Sequence, residues 1–194
     1  MGRTQGFDTA AAVRCARQVF WESGYEDAAI PALESATGLN RSSIYNAFGS
    51  KRGLFDAAVD SYLDEVIRPL LQPLTATPVA PDAIVEYLAR VRSAFLDEGS
   101  SASANGCLLV NSANAPIARD PAVREVVAAY REELRSAIGR GVVAHRPTHG
   151  PEANARLADA CTAMIVAAFA LTRVDNEAAL QCIDTAAHLL DDHA

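Results

Sequence analysis

Gly38-Leu39-Asn40-Arg41-Ser42-Ser43-Ile44-Tyr45-Asn46-Ala47-Phe48-Gly49-Ser50-Lys51 decides how this chain is read. The stretch spells a tight turn, a short helix, a second turn and the start of a longer helix. Gly38 suits the left-handed conformation that ends a helix, which side chains with a Cβ adopt only at a cost. Asn40 is a good N-cap for a helix opening at Arg41, because its side chain accepts a hydrogen bond from a free backbone N–H. Ile44 and Phe48 lie one turn apart and face inward, leaving Arg41, Ser42, Tyr45 and Asn46 on the outer face. An apolar back and a hydrogen-bonding front are what the major groove admits. Ser50 is placed to cap the next helix, with Lys51 beside an N-terminus whose free N–H groups attract phosphate.

The flanks fit. Asp8 or Thr9 caps a first helix with Ala12, Val13, Ala16, Val19 and Phe20 at helical spacing, stopping near Ser23-Gly24-Tyr25. Pro31 is suited to open a second helix, Ala32 to Thr37, with Ile30 and Leu33 reaching the same core. Helix, helix, short turn and outward-facing helix is the helix-turn-helix order.

Phe20, Gly24-Tyr25, Ala36-Thr37-Gly38-Leu39, Ser43-Ile44-Tyr45, Phe48 and Lys51-Arg52-Gly53-Leu54-Phe55 together resemble the DNA-binding domain of the tetracycline-repressor (TetR) family, over roughly residues 9–56. The resemblance implies an all-α, dimeric transcription factor, usually a repressor of a palindromic operator that a small ligand releases. It implies base or phosphate contacts for Ser42, Ser43, Tyr45 and Asn46, and a phosphate contact for Lys51. At one point the chain departs from the pattern. Many members carry Thr or Ser after the first turn to hold a phosphate, whereas here Glu26-Asp27 precede Ala28-Ala29.

Composition sets limits. The 194 residues suffice for a small head and a larger body, expected at 1–50 and 51–194, and half of them are hydrophobic, which excludes disorder. No apolar run of membrane-spanning length and no signal-peptide core stand out, so a cytoplasmic protein is expected. The net charge of −7 looks wrong for a DNA-binding protein. Residues 1–56, however, hold six basic and six acidic side chains, so the whole deficit lies in the remainder. A neutral head with Arg3, Arg41, Lys51 and Arg52 on one side still attracts phosphate.

Beyond Ser50 a long helix is expected through Ile67, kinked or ended by Pro69, then a loop from Pro73 to Pro81 and a helix from Asp82 to Leu96. Asp97 to Asn105 reads as a flexible polar link, followed by a short helix Gly106 to Ala113 that Asn105 would cap. Pro121 to Gly139 forms the next helix, and a loop spans Gly141 to Pro151. Two Ala-rich helices, Glu152 to Thr172 and Asn176 to Asp191, close the chain. Small residues beside their stripes (Ala160, Ala163, Ala167, Ala179, Ala186) allow close approach. That serves internal packing, or, as the family resemblance favours, a homodimer joined by both pairs as a four-helix bundle.

No nucleophile elbow, phosphate-binding loop or distinctive carboxylate pair is present, so no enzyme and no cofactor are expected. His145, His149, His188 and His193 form no metal set. Cys15, Cys161 and Cys182 lie on or near apolar stripes and read as small core residues. Gly106-Cys107-Leu108-Leu109-Val110-Asn111 resembles the start of the sixth helix in a TetR subgroup, some of whose members sense electrophiles or oxidants through the matching cysteine. Cys107 is therefore a sensing candidate or a packed thiol. Tyr62, Phe95, Asn111 and Tyr130 are candidates to line an effector pocket beside it, or they fill the core. A helical sensor that has lost operator binding is the alternative function.

Overall fold

The computed structural model describes residues 8–191, all of whose regular elements are helical. They are α1 (Thr9–Asp27), α2 (Ile30–Thr37), α3 (Arg41–Phe48), α4 (Lys51–Tyr62), a π-helical turn (Leu63–Ile67), α5 (Arg68–Thr75), α6 (Ala83–Leu96), α7 (Ser101–Asn105), α8 (Leu108–Ala113), a 3-10 turn (Pro116–Arg119), α9 (Pro121–His145), α10 (Pro151–Leu171) and α11 (Asn176–Asp191). Arg3 and His193 lie outside the described residues.

The chain divides into two compact units, 1–67 and 68–194. The boundary expected at 50/51 falls inside the first unit, because α4 packs along α1 rather than standing apart. Phe20, Tyr25 and Phe55 form an aromatic cluster with ring centroids 5.1–6.2 Å apart, and Trp21 meets Tyr62 edge-on at 4.9 Å. Arg17 ties α1 to the end of α4, donating to the Ser61 carbonyl at 3.1 Å and to Glu65 Oε2 at 3.0 Å. α1 runs past its expected stop, to Asp27, but Gly24 breaks the helical geometry inside it with φ 77°.

In the second unit α10 and α11 pack along each other, with α9 beside them. Phe95 of α6 and Phe169 of α10 meet edge-to-face at 5.2 Å. Gly106 bends the chain before α8 with φ 67°, and a Cβ there would stand 2.4 Å from the Phe169 carbonyl oxygen. Gly141 likewise admits Leu74 and Ile84 against α9, which explains why α9 continues through the glycines to His145 and the next loop is only residues 146–150.

Three more expectations change. Pro69 does not end its helix. It follows the π-turn, where the regular helix is already interrupted, and α5 then absorbs Pro73 before ending at Thr75. The polar link is ordered: Ser100 caps α7 and donates to the Ala94 carbonyl, and Ser103 donates to that of Phe95. Cys107, rather than Asn105, occupies the N-cap position of α8. By length and composition α10 resembles a membrane-crossing helix, yet Cys161, Ile165, Ala168 and Phe169 are buried within the unit.

Candidate nucleic-acid interface

α3 is short and fixed at both ends by local chemistry. Gly38 ends α2 at φ 68°, with its N–H on the Glu34 carbonyl at 3.0 Å. Asn40 Oδ1 then accepts the Ser43 N–H at 2.9 Å. The Glu34 carboxylate accepts the Arg41 N–H, the first of the helix. Gly49 closes α3 with its N–H on the Tyr45 carbonyl. Ser50 Oγ opens α4 by accepting the Gly53 N–H at 3.0 Å.

Burial of Ile44 sets which face of α3 points out. Ile44 is fully buried, whereas Arg41, Ser42, Tyr45 and Asn46 are exposed and Ser43 is half-buried. The Arg41 guanidinium sits 5.4 Å from the Tyr45 ring centroid, so its planar fork is held over that ring. The outer face therefore offers a guanidinium, two hydroxyls, a phenol and an amide within two helical turns. These are groups that hydrogen-bond base edges and phosphates.

Lys51 behaves differently from the others. Its Nζ donates to the Glu26 carbonyl at 3.2 Å and lies 4.7 Å from the Tyr25 ring centroid. Partial burial lowers its pKa, against the opposing pull of Glu26 and Asp27. The ammonium thus staples the start of α4 to the end of α1. Arg52 pairs with Asp56 at 2.7 Å. Ala28 is fully buried and Ala29 leads into α2 without any side-chain cap, so no hydroxyl is offered there.

Two residues escaped the sequence reading. Glu34 is seven positions from the N–H it holds, too far for a capping pattern to reveal. Gly53 was visible only as part of a motif. A Cβ on it would stand 2.0 Å from the Phe48 carbonyl oxygen, so the crossing of α3 and α4 demands glycine.

Of the five effector-site candidates, one lies in the first unit and four in the second. Tyr62 is buried against Trp21 in the first unit. In the second, Phe95 is buried against Phe169, and Asn111 donates to the Asn105 carbonyl at 2.7 Å. Cys107 is fully buried, its thiol donating to Tyr130 Oη at 3.6 Å. Tyr130 does line a groove of about 460 Å³ between α8, α9 and α10, with Val110, Val127, Arg131 and Val166 among its walls. Of the other cysteines, Cys161 is buried in the core as expected, and two differ from expectation. Cys15 is exposed and Cys182 half-buried, while burial pushes the Cys161 thiol up to about 11. Among the described residues no cluster of His, Cys, Asp or Glu is arranged to hold a metal ion.

Residues 13–58 match the sequence profile of bacterial regulatory proteins of the tetR family. The chain is 33% identical over 143 residues to YezE of Bacillus subtilis (strain 168), described as an uncharacterized HTH-type transcriptional regulator, covering 74% of this chain and 72% of YezE. It is 31% identical over 112 residues to the HTH-type transcriptional repressor ComR of Escherichia coli (strain K12), covering 57% of this chain and 52% of ComR. Among solved structures, a cysteine variant of the regulator CifR, complexed with 26-base-pair operator DNA, superposes with a TM-score of 0.77 at 30% identity, covering 96% of this chain and 98% of that one.

Proposed function

The chain belongs to the TetR family of transcriptional regulators, DNA-binding proteins rather than enzymes, and on that premise we propose that it is a repressor that binds a palindromic operator as a homodimer. The observation that carries this reading is α3: a buried Ile44 behind an exposed row of Arg41, Ser42, Tyr45 and Asn46. In a helix-turn-helix the second helix enters the major groove, and two copies related by a two-fold axis read half-sites about one turn apart. Ser43 and Lys51 complete the contact set. Lys51 spends one ammonium N–H on the Glu26 carbonyl and keeps two for phosphate, so it holds the head together and faces the duplex at once. The repressor assignment follows ComR, and operator binding follows CifR.

The dimer forms through α10 and α11, the latter presenting Gln181 and Thr185 to solvent. A small molecule entering the body would release the operator by binding more tightly to a state unable to span both half-sites. The groove at Tyr130 is the candidate entry, its size within the range of ligand sites. The protein acts in the cytoplasm, where its DNA is.

Fluorescence anisotropy with duplexes from the region upstream of its own gene tests this. The expected result is saturable binding by a dimer that falls steeply with salt and is lost in Arg41→Ala combined with Asn46→Ala. Equal binding of the double variant and the wild type to every duplex would contradict it.

A further inference from the structure

The operator reading leaves unexplained a negative charge at the mouth of the recognition helix. Glu34 closes the turn from both sides: its carbonyl takes the Gly38 N–H that ends α2, and its carboxylate takes the Arg41 N–H that opens α3. Between them Thr37 Oγ1 donates to the Leu33 carbonyl at 2.7 Å and accepts the Leu39 N–H at 3.2 Å. The free N–H groups of a helix N-terminus and its positive dipole end make a ready phosphate site. In α3 the Ser43 and Arg41 N–H groups are already occupied, one by the neutral Asn40 amide and one by the Glu34 carboxylate.

The geometry points to Glu34 as a positioning residue for sequence recognition, one that keeps the first N–H of α3 from grasping phosphate. The inference rests on the operator reading. A phosphate taken by this N–H would anchor the helix identically on any DNA, since phosphate contacts carry no sequence information. The carboxylate also repels the duplex uniformly, over a Debye length of about 8 Å at physiological salt. Uniform repulsion lowers operator and unrelated affinity by one factor and leaves their ratio alone. The occupied N–H acts on the ratio itself. The two effects therefore separate by substitution: Glu34→Gln keeps an acceptor and loses the charge, whereas Glu34→Ala loses both.

The test compares wild type and both variants on an operator duplex, selected with the wild type, and on an unrelated duplex, over a series of salt concentrations. Amide hydrogen exchange at Arg41 is followed in the free proteins. Glu34→Gln is expected to tighten on both duplexes by a similar factor, about 2–5-fold near 0.1 M salt and less as salt rises, with the Arg41 amide still protected. Glu34→Ala is expected to lose that protection, to tighten on the unrelated duplex and to weaken on the operator, so that the ratio falls about tenfold. An unchanged ratio in Glu34→Ala, or an equal fall in both variants, overturns the inference. If the wild type itself prefers no duplex, the operator reading fails instead. Arg41 exchange together with unrelated-duplex affinity in Glu34→Ala then still decides whether the carboxylate guards that N–H.

Discussion

The two units of this chain place polar side chains in opposite ways. In the first, α3 is eight residues long, capped at each end within four residues, and it holds its polar row in solvent. In the second, the residues that look most capable of meeting a ligand are turned onto the protein itself: Phe95 is buried on Phe169 and Cys107 on Tyr130, and half-buried Asn111 donates to the Asn105 carbonyl. A helix pinned by its own caps exposes what its sequence exposes. Helices packed by partners far along the chain, as α6 is by α10 through Phe95 and Phe169, choose their inner face by volume, and polarity along the chain says little about which groups line a groove.

Glycine substitutions press on this contrast hardest. Gly53→Ala puts a Cβ 2.0 Å from the Phe48 carbonyl oxygen, a backbone atom that moves only if α3 moves. Operator affinity should fall by more than about 100-fold in titrations, because the recognition helix loses its seat. Gly106→Ala adds a Cβ 2.4 Å from the Phe169 carbonyl oxygen and also strains a residue at φ 67°. It should cost the second unit about 2–4 kcal/mol by chemical denaturation. Well below its melting temperature, operator affinity should change far less than in Gly53→Ala. Similar binding losses for the two would show that the units do not divide the labour as described.

Single changes on the outer face of α3 come next. Arg41→Ala and Asn46→Ala should each lose about 1–3 kcal/mol of operator binding and relax preference at particular base pairs, read by competition with substituted duplexes. Lys51→Ala should lower the melting temperature of the head along with affinity for every duplex, since its ammonium bridges α4 to the Glu26 carbonyl. A binding loss with no change in melting would make it a phosphate contact alone.

The smallest effect concerns thiols. A maleimide should label exposed Cys15 first in native protein, with Cys107 and Cys161 slow, as mass spectrometry of timed samples would show. Rapid labelling of Cys107 would mean that the second unit opens readily around it.

Most of the head was legible because its signals are local. Gly38, Asn40 and Ser50 each act within about four residues, and the buried and exposed faces of α3 follow from Ile44 alone. What escaped depends on distance. The Glu34 carboxylate reaches Arg41 across the turn, and Lys51 folds back to a carbonyl 25 positions earlier. In the body the bounds of α6, α10 and α11 were close, while α7 was read as a flexible link and prolines and glycines misled. Pro69 is tolerated because a π-turn precedes it, and Gly141 sits inside α9 because Leu74 and Ile84 need its space. Neither fact is written near the residue concerned. Cys15 lies beside an apolar stripe yet is exposed, one helical position being enough to turn it outward.

Selection of binding sequences from a random duplex pool by the purified full-length protein tests the central claim most directly. The account predicts enrichment of one inverted repeat whose half-sites are centred about one helical turn, or a multiple of it, apart, with altered preference in Arg41→Ala and Asn46→Ala. No enrichment over repeated rounds, or the same enriched sequence in both variants, would contradict it.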